Sequence, residues 1–173
     1  SMITHTLIDN QEDPSYLVAG IPKGLNKSWN LTNSDYFVIE ADEYDTAYFD
    51  KKPKFFHYRP QILLINNIEF DHADIYENLD QIEQNFMELI QELPKESLIY
   101  INSTGIRESF LNEIKKNINI RAQIVFFDAG TKNIHQINKN ITIKGLEGII
   151  SENKVRESLQ NYKGVKRRYD IIY

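Results

Sequence analysis

Cysteine is absent from the 173 residues, which excludes both a disulfide framework and a metal site built on thiolates. The net charge is −5 and no basic run exceeds the three residues 166–168, so the composition argues against a nucleic-acid binder. No apolar stretch approaches the roughly 20 residues of a membrane span. The first residues also lack the basic and then apolar profile of a signal peptide. These absences predict a cytoplasmic protein.

Glycine and proline are scarce, with 7 and 5 residues, and no low-complexity linker divides the chain. Its length suits one domain with a core of its own. Apolar runs alternate with stretches of helical periodicity. Strands are predicted at 16–20, 36–40, 62–66, 97–101, 123–127 and 140–144, and helices at 2–7, between Asp74 and Pro94, at 104–116 and at 151–162. This alternation predicts an α/β fold, a mainly parallel sheet flanked by helices.

Four carboxylates, those of Glu40, Asp42, Glu43 and Asp45, follow the apolar run 36–39, which is predicted to be a buried strand. In open α/β sheets, ligands bind at the carboxyl ends of the strands. Mg²⁺ prefers oxygen ligands, and its usual partners are one or two carboxylates together with substrate phosphates. Glu40 is the best single candidate, with Asp42 and Glu43 orienting it. The alternative is an acidic loop that is merely solvated.

The next predicted strand repeats the arrangement, because it leads into Asn66, Asn67, Asp71, His72 and Asp74. His72 is a candidate metal ligand oriented by a neighbouring carboxylate. Alternatively it is a surface or capping residue at the start of a helix. Asp74 is well placed to cap that helix, and turn chemistry also explains the two asparagines. Two strand ends that both supply such ligands predict a Mg²⁺ site at the edge of the sheet.

Arg168 belongs to the basic run 166–168, which comes just after the last predicted helix. An arginine there could bind a phosphate in bidentate geometry, and the alternative is a solvated run of charges at a helix end. The chain has no Ser-His-Asp arrangement, no G-x-G-x-x-G and no Walker loop. The residues by themselves therefore predict an α/β domain with a Mg²⁺ site that handles a phosphate ligand, without indicating a substrate.

Three stretches, residues 37–51, 56–60 and 64–76, resemble the Mur ligase family, and in particular its branch that attaches a murein peptide. They include the sequences Glu-Tyr-Asp-Thr-Ala-Tyr-Phe-Asp-Lys, Phe-His-Tyr-Arg-Pro and Asn-Asn-Ile-Glu-Phe-Asp-His-Ala-Asp. Residues 164–169 resemble the hinge that leads into the family's C-terminal domain. The resemblance covers residues 15–80 strongly and weakens through the second half of the chain.

The resemblance implies that residues 1–163 are the family's central ATPase-like domain, and that 164–173 are the hinge and the start of the C-terminal domain. By position, Glu40 and His72 match ligands of the Mg²⁺ ions that bridge ATP and substrate. Asn67 matches an asparagine near the nucleotide and the reacting carboxylate, so Asn67 and His72 are the expected catalytic residues. Arg168 matches a hinge arginine that contacts ATP.

The activity that the resemblance implies is an ATP- and Mg²⁺-dependent ligase of peptidoglycan recycling. It would join the tripeptide L-Ala-γ-D-Glu-meso-diaminopimelate to UDP-N-acetylmuramate through an acyl phosphate of the lactyl carboxylate. Three alternatives stay open. They are a UDP-N-acetylmuramate–L-alanine ligase, a metal-dependent phosphohydrolase and a non-catalytic α/β module.

Two motifs of the family are absent from the 173 residues. The Gly-x-x-Gly-Lys-Thr phosphate loop is expected just before Ser1, and the His-Asn-x-x-Asn adenine motif is expected near Gly145. Both ends of the sequence also resemble breaks within a longer chain. The sequence therefore predicts a middle piece of a longer protein, and we expect these 173 residues alone to bind ATP poorly and not to catalyse ligation.

Overall fold

A computed structural model describes residues 1–41, 45–70, 74–131 and 133–166. The helices are α1 (Met2–Asp9), α2 (Leu79–Glu92), α3 (Glu108–Lys116), α4 (Ile134–Gly145) and α5 (Glu152–Asn161). The strands are β1 (Ser15–Leu17), β2 (Trp29–Asn30), β3 (Phe37–Ile39), β4 (Asp45–Ala47), β5 (Asp50–Pro53), β6 (Ile62–Ile65), β7 (Leu98–Asn102) and β8 (Gln123–Phe127). The chain divides into two compact units, Ser1–Glu40 with Asn138–Tyr173, and Ala41–Ile137. Among the described residues, no helix has both the length and the apolar character needed to cross a membrane.

The second unit is built on a parallel sheet with the strand order β6-β7-β8. Helix α2 lies between β6 and β7 in the chain, and α3 lies between β7 and β8. Their apolar residues form one core with the sheet, in which Ile90, Ile99 and Ile101 have no exposed surface. The strands β4 and β5 pair separately as an antiparallel hairpin. The predicted α/β fold with a mainly parallel sheet flanked by helices is confirmed.

Helix α2 follows the predicted apolar stripe, since Ile82, Phe86 and Ile90 are buried in the core. The predicted cap at Asp74 is wrong. The helix begins five residues later, at Leu79, and the side chain of Asn78 accepts a hydrogen bond from the backbone N–H of Gln81 (3.0 Å). Asparagine and aspartate cap helices almost equally well, so the residue adjacent to the first helical turn takes the role.

The first unit packs α1 and α5 around a second apolar cluster, which contains Leu7, Val155 and Leu159. A polar cluster also joins the two helices. The hydroxyl of the buried Ser158 donates to Oδ2 of Asp9 (2.6 Å) and accepts from Nδ2 of Asn10 (3.0 Å). The buried Ser158 hydroxyl thus has both an acceptor and a donor on α1 and its C-cap, and these bonds help to fix the pairing of the two helices.

The strand β3 forms where it was predicted, but the expectation that it is buried is wrong. It pairs with β1 at one edge of the sheet β2-β1-β3. Val38 packs against the apolar cluster of the first unit, whereas Phe37 is 60% exposed. Successive side chains of a strand point to opposite faces, and only one face of this edge strand is covered by that cluster.

The strand predicted at residues 140–144 is also wrong, because the chain forms α4 there. The alternation Ile-Thr-Ile spans too few residues to distinguish a strand from a helix. A longer window contains Ile137 and the buried Ile141, which are spaced by one helical turn. The side chain of Asn133 accepts from the backbone N–H of Gln136 (3.0 Å), which is the geometry of a helix N-cap.

Candidate nucleotide and metal site

Glu40 directly follows β3, and its side chain is bonded to the end of β1. Its backbone N–H donates to the carbonyl oxygen of Leu17 (2.9 Å), which extends the parallel pairing of the two strands. Its carboxylate Oε2 accepts from the backbone N–H of Ala19 (3.1 Å). The residue is exposed. The carboxylate is therefore oriented by a backbone amide and is still accessible to a ligand.

The N-terminal end of α1 lies near this carboxylate. Ser1, the residue that precedes the first helical residue Met2, lies within electrostatic range of the Glu40 carboxylate. Backbone N–H groups at a helix N-terminus attract phosphates and other anions. Mg²⁺ sites commonly combine a carboxylate oxygen with a bound phosphate. A single accessible carboxylate beside a helix N-terminus is chemically compatible with the predicted Mg²⁺ ligand, and the metal role of Glu40 stays a prediction.

The start of the predicted hinge is bonded to the loop that follows β1. The backbone N–H of Lys23 donates to the carbonyl oxygen of Gly164 (2.8 Å), and that of Lys166 donates to the carbonyl oxygen of Ile21 (2.8 Å). The Lys166 ammonium donates to the carbonyl oxygen of Leu25 (2.8 Å). Lys166 therefore has a structural role in holding the hinge residues 164–166 on this loop.

Asn67 lies just after β6, at the carboxyl end of the parallel sheet of the second unit, and it is exposed. The turn after β7 packs directly against it. A Cβ atom on Gly105 would lie 2.3 Å from the carbonyl oxygen of Asn66 and 3.0 Å from the Cα of Asn67. The neighbouring Ile68 donates its backbone N–H to the carbonyl oxygen of Gly105 (3.0 Å). Asn67 is thus presented at the edge of the sheet where ligands bind in α/β folds.

The structure leaves several of the predicted site residues undescribed. His72 and Arg168 lie outside the described residues, as do the supporting carboxylates Asp42, Glu43 and Asp71. Glu40 belongs to the first unit and Asn67 to the second. Across the described ranges, no three histidine or carboxylate side chains come together as a metal site. The predicted roles of Glu40, His72, Asn67 and Arg168 stay predictions.

Asn102, at the end of β7, and Gly105, in the turn that follows, were not predicted as site residues. The Asn102 side chain is 1% exposed, and its Oδ1 accepts from the hydroxyl of Thr104 (2.8 Å) and from the backbone N–H of Ala129 (3.3 Å). A signal was available in the sequence. Polar residues follow the apolar strand β7, as they follow the apolar strand β6. Functional residues could therefore have been predicted at the end of β7 as well as at the end of β6.

The Mur ligase middle domain matches residues 15–160 of the chain. The chain belongs to the Mur ligase family. The predicted resemblance to this family is therefore confirmed, and the fold described above is the fold of a Mur ligase middle domain.

Individual Mur ligases differ in how much of the chain they match. A UDP-N-acetylmuramate–L-alanyl-γ-D-glutamyl-meso-2,6-diaminoheptandioate ligase of Haemophilus influenzae is 46% identical over 98 residues, which are 57% of this chain and 22% of the relative. A UDP-N-acetylmuramate–L-alanine ligase of Fusobacterium nucleatum is 26% identical over 211 aligned positions, which cover 100% of this chain and 42% of the relative. Both relatives are much longer than this chain.

A solved Mur ligase structure matches the fold closely. The UDP-N-acetylmuramate:L-alanyl-γ-D-glutamyl-meso-diaminopimelate ligase of Neisseria meningitidis superposes with a TM-score of 0.83 and 29% identity. The match covers 96% of this chain and 62% of that structure's chain. Nearly the whole chain therefore has a structural counterpart in one Mur ligase, including the second half, where the sequence resemblance is weaker.

Proposed function

We propose that this chain is the central part of an ATP-dependent ligase that joins L-alanyl-γ-D-glutamyl-meso-diaminopimelate to UDP-N-acetylmuramate. In the proposed reaction the lactyl carboxylate takes the γ-phosphoryl group of ATP and releases ADP. The amine of the tripeptide then displaces phosphate and forms the amide. Residues 1–163 would be the central domain and 164–173 the hinge and the start of the next domain. Because the reaction consumes ATP, we assign it to the cytoplasm.

One observation carries the choice of acceptor. The relative named for the tripeptide substrate is 46% identical over 98 residues, while the relative named for L-alanine is 26% identical over 211 aligned positions. The motifs quoted for the peptide-attaching branch, residues 37–51 and 64–76, point to the same acceptor. This difference favours the tripeptide as the acceptor.

The predicted site residues would have the following roles in this reaction. Glu40, together with His72, would hold Mg²⁺, which when bound neutralises charge between a carboxylate and a triphosphate. Asn67 would lie near the nucleotide and the reacting carboxylate, and Arg168 would contact ATP. The hydrogen bond from Ala19 fixes the Glu40 carboxylate before any ligand arrives, and such preorganisation is favourable for binding a cation.

A second candidate is a UDP-N-acetylmuramate–L-alanine ligase. The observation that favours it is coverage, since the Fusobacterium relative aligns with the whole chain whereas the Haemophilus relative aligns with 57% of it. The two candidates share the first chemical step and differ only in the amine that attacks. They are therefore separated by the acceptor and not by ATP consumption.

The test is ADP release by the longer protein that contains this chain, with ATP, Mg²⁺ and UDP-N-acetylmuramate. One reaction receives the tripeptide and a second receives L-alanine. We expect turnover with the tripeptide alone. Turnover with L-alanine alone would favour the second candidate, and phosphate release without any acceptor would favour a phosphohydrolase.

A matched pair of variants links turnover to the site. Asn67→Ala removes the amide at the sheet edge, and Asn119→Ala removes an amide from the loop after α3 in the same unit. We expect the first variant to lose turnover and the second to keep it. Equal turnover in both variants would separate the reaction from the candidate site. The 173 residues alone should give no ligation, because they contain no Gly-x-x-Gly-Lys-Thr loop.

A further inference from the structure

The turn formed by residues 102–105, which follows β7, packs against the backbone that carries Asn67. A Cβ atom on Gly105 would lie only 3.0 Å from the Cβ of Asn67 and still closer to the carbonyl oxygen of Asn66. Carbon atoms in van der Waals contact are about 3.5–4.0 Å apart. No side chain larger than hydrogen fits between this turn and Asn67.

Glycine is required at position 105 because of the limited space beside it, and not because of its backbone conformation. The residue ends a single turn of 3-10 helix, Ser103–Gly105, and its φ is not in the left-handed region that favours glycine. An alanine could adopt this backbone conformation. Its methyl group would instead have to displace the backbone of Asn66 and Asn67, and with it the exposed side chain of Asn67.

The turn is itself fixed by a buried amide. Oδ1 of Asn102 accepts from the backbone N–H of Thr104 (3.3 Å), from the Thr104 hydroxyl (2.8 Å) and from the backbone N–H of Ala129 (3.3 Å). The hydroxyl of Ser103 also donates to the carbonyl oxygen of Phe127 (3.0 Å). These bonds hold the turn between the ends of β7 and β8.

A continuous set of contacts therefore leads from the end of β8 through Asn102 and Gly105 to Asn67. We propose that the turn 102–105 is a positioning element that sets the location of the Asn67 side chain for ligation, a proposal that rests on the function assigned to Asn67 above. Asn102 and Gly105 act through Asn67 and do not contact the substrate. Catalytic groups displaced by about 1 Å lose on the order of 10²-fold in rate, so contacts of this kind affect turnover.

Gly105→Ala in the longer ligase tests the proposal. We expect kcat to fall by about 10²-fold, with little change in the KM for ATP, because the variant misplaces a group without removing a binding contact. Gly148→Ala is the matched control. Gly148 has φ +80° with no atom within 4 Å of an added Cβ, so alanine there strains the backbone without a clash, and kcat should be unchanged.

A double variant separates positioning from a general structural effect. If Gly105 acts through Asn67, adding Gly105→Ala to Asn67→Ala should cause no further loss of kcat. A full additional loss in the double variant would overturn the proposal, as would wild-type kcat in Gly105→Ala. If Gly105→Ala does not fold, Thr104→Val replaces it. That variant removes the hydroxyl bond to Asn102 while keeping the side-chain shape, and we expect a smaller loss that again disappears in the Asn67→Ala background.

A spectroscopic measurement keeps this inference distinct from the proposed function. In the 173-residue chain, Gly105→Ala should shift the side-chain amide resonances of Asn67, and Gly148→Ala should leave them in place. Absence of ligation by the wild-type longer protein would contradict the proposed function. Unshifted Asn67 resonances in Gly105→Ala would contradict the positioning role, whatever reaction the protein catalyses.

Discussion

Gly20 approaches Val165 so closely that a Cβ atom on Gly20 would lie 2.7 Å from Cγ1 of Val165. Gly20 follows Ala19, the residue whose N–H orients the Glu40 carboxylate, and Val165 belongs to the predicted hinge. The candidate metal ligand and the hinge therefore contact two adjacent residues of the same loop, Ala19 and Gly20, within one unit.

Gly20→Ala should destabilise the chain for two reasons. The φ of +85° costs an alanine about 1–2 kcal/mol, and the methyl group also displaces Val165. Gly24→Ala is the matched control, because Gly24 has φ +97° with no atom within 4 Å of an added Cβ. Chemical denaturation should show a larger loss of unfolding free energy for Gly20→Ala than for Gly24→Ala. Adding Val165→Ala to Gly20→Ala should restore part of that free energy. Equal losses would mean that the contact with Val165 carries no energy.

Ile90 is central to the core of the second unit, where it has no exposed surface. Ile90→Ala removes three carbon atoms from a packed interior and leaves a cavity, which should lower the free energy of unfolding by about 2–5 kcal/mol. Ile118→Ala makes the same chemical change at a side chain that is 96% exposed, and we expect a change within about 0.5 kcal/mol. A small effect at Ile90, measured by denaturation, would contradict the packing described here.

The carboxylate of Glu83 is buried on α2 and is paired with Arg107 at the start of α3. Hydrogen bonds from Arg107 to Glu83, and then to the exposed Asp80, raise the pKa of the Arg107 guanidinium above its ordinary value. Arg107→Met keeps the aliphatic stem but leaves the buried carboxylate without its cation, which is strongly unfavourable. We expect thermal unfolding several degrees lower than in the wild type.

A second substitution tests whether that loss comes from the pair. Glu83→Gln in the Arg107→Met background should recover part of the lost stability, since a neutral amide is less costly to bury than a charge. Arg156→Met is the control, because Arg156 pairs with the exposed Glu152 on the surface of α5. Surface pairs contribute little. A drop as large in Arg156→Met as in Arg107→Met would argue against a special role for the buried pair.

The sequence predicted the elements whose pattern is long or strongly periodic. The stripe of α2 and the apolar run of β8 were both located correctly. Residues 140–144 were predicted wrongly as a strand. Their short alternation is also compatible with a helix, and the residue that caps this helix, Asn133, lies outside those five residues. The contact between Gly105 and Asn67 could not be predicted, because it joins two loops 38 positions apart that only the parallel pairing of β6 and β7 brings together. Local patterns carry no information on such a contact.

The carboxylate of Glu40 provides the most direct test of the proposed metal role. Glu40→Gln keeps an oxygen that can accept the hydrogen bond from Ala19 but removes the charge that attracts Mg²⁺. Mutation of residues that merely orient metal ligands typically lowers metal affinity or activity by about 10–100-fold. Loss of a direct ligand should therefore reduce the proposed turnover of the longer protein by at least about 100-fold. Thermal unfolding without Mg²⁺ should be unchanged. Glu157→Gln, on the exposed face of α5, is the control and should keep full turnover. Wild-type turnover and an unaltered Mg²⁺ requirement in Glu40→Gln would exclude Glu40 as a metal ligand.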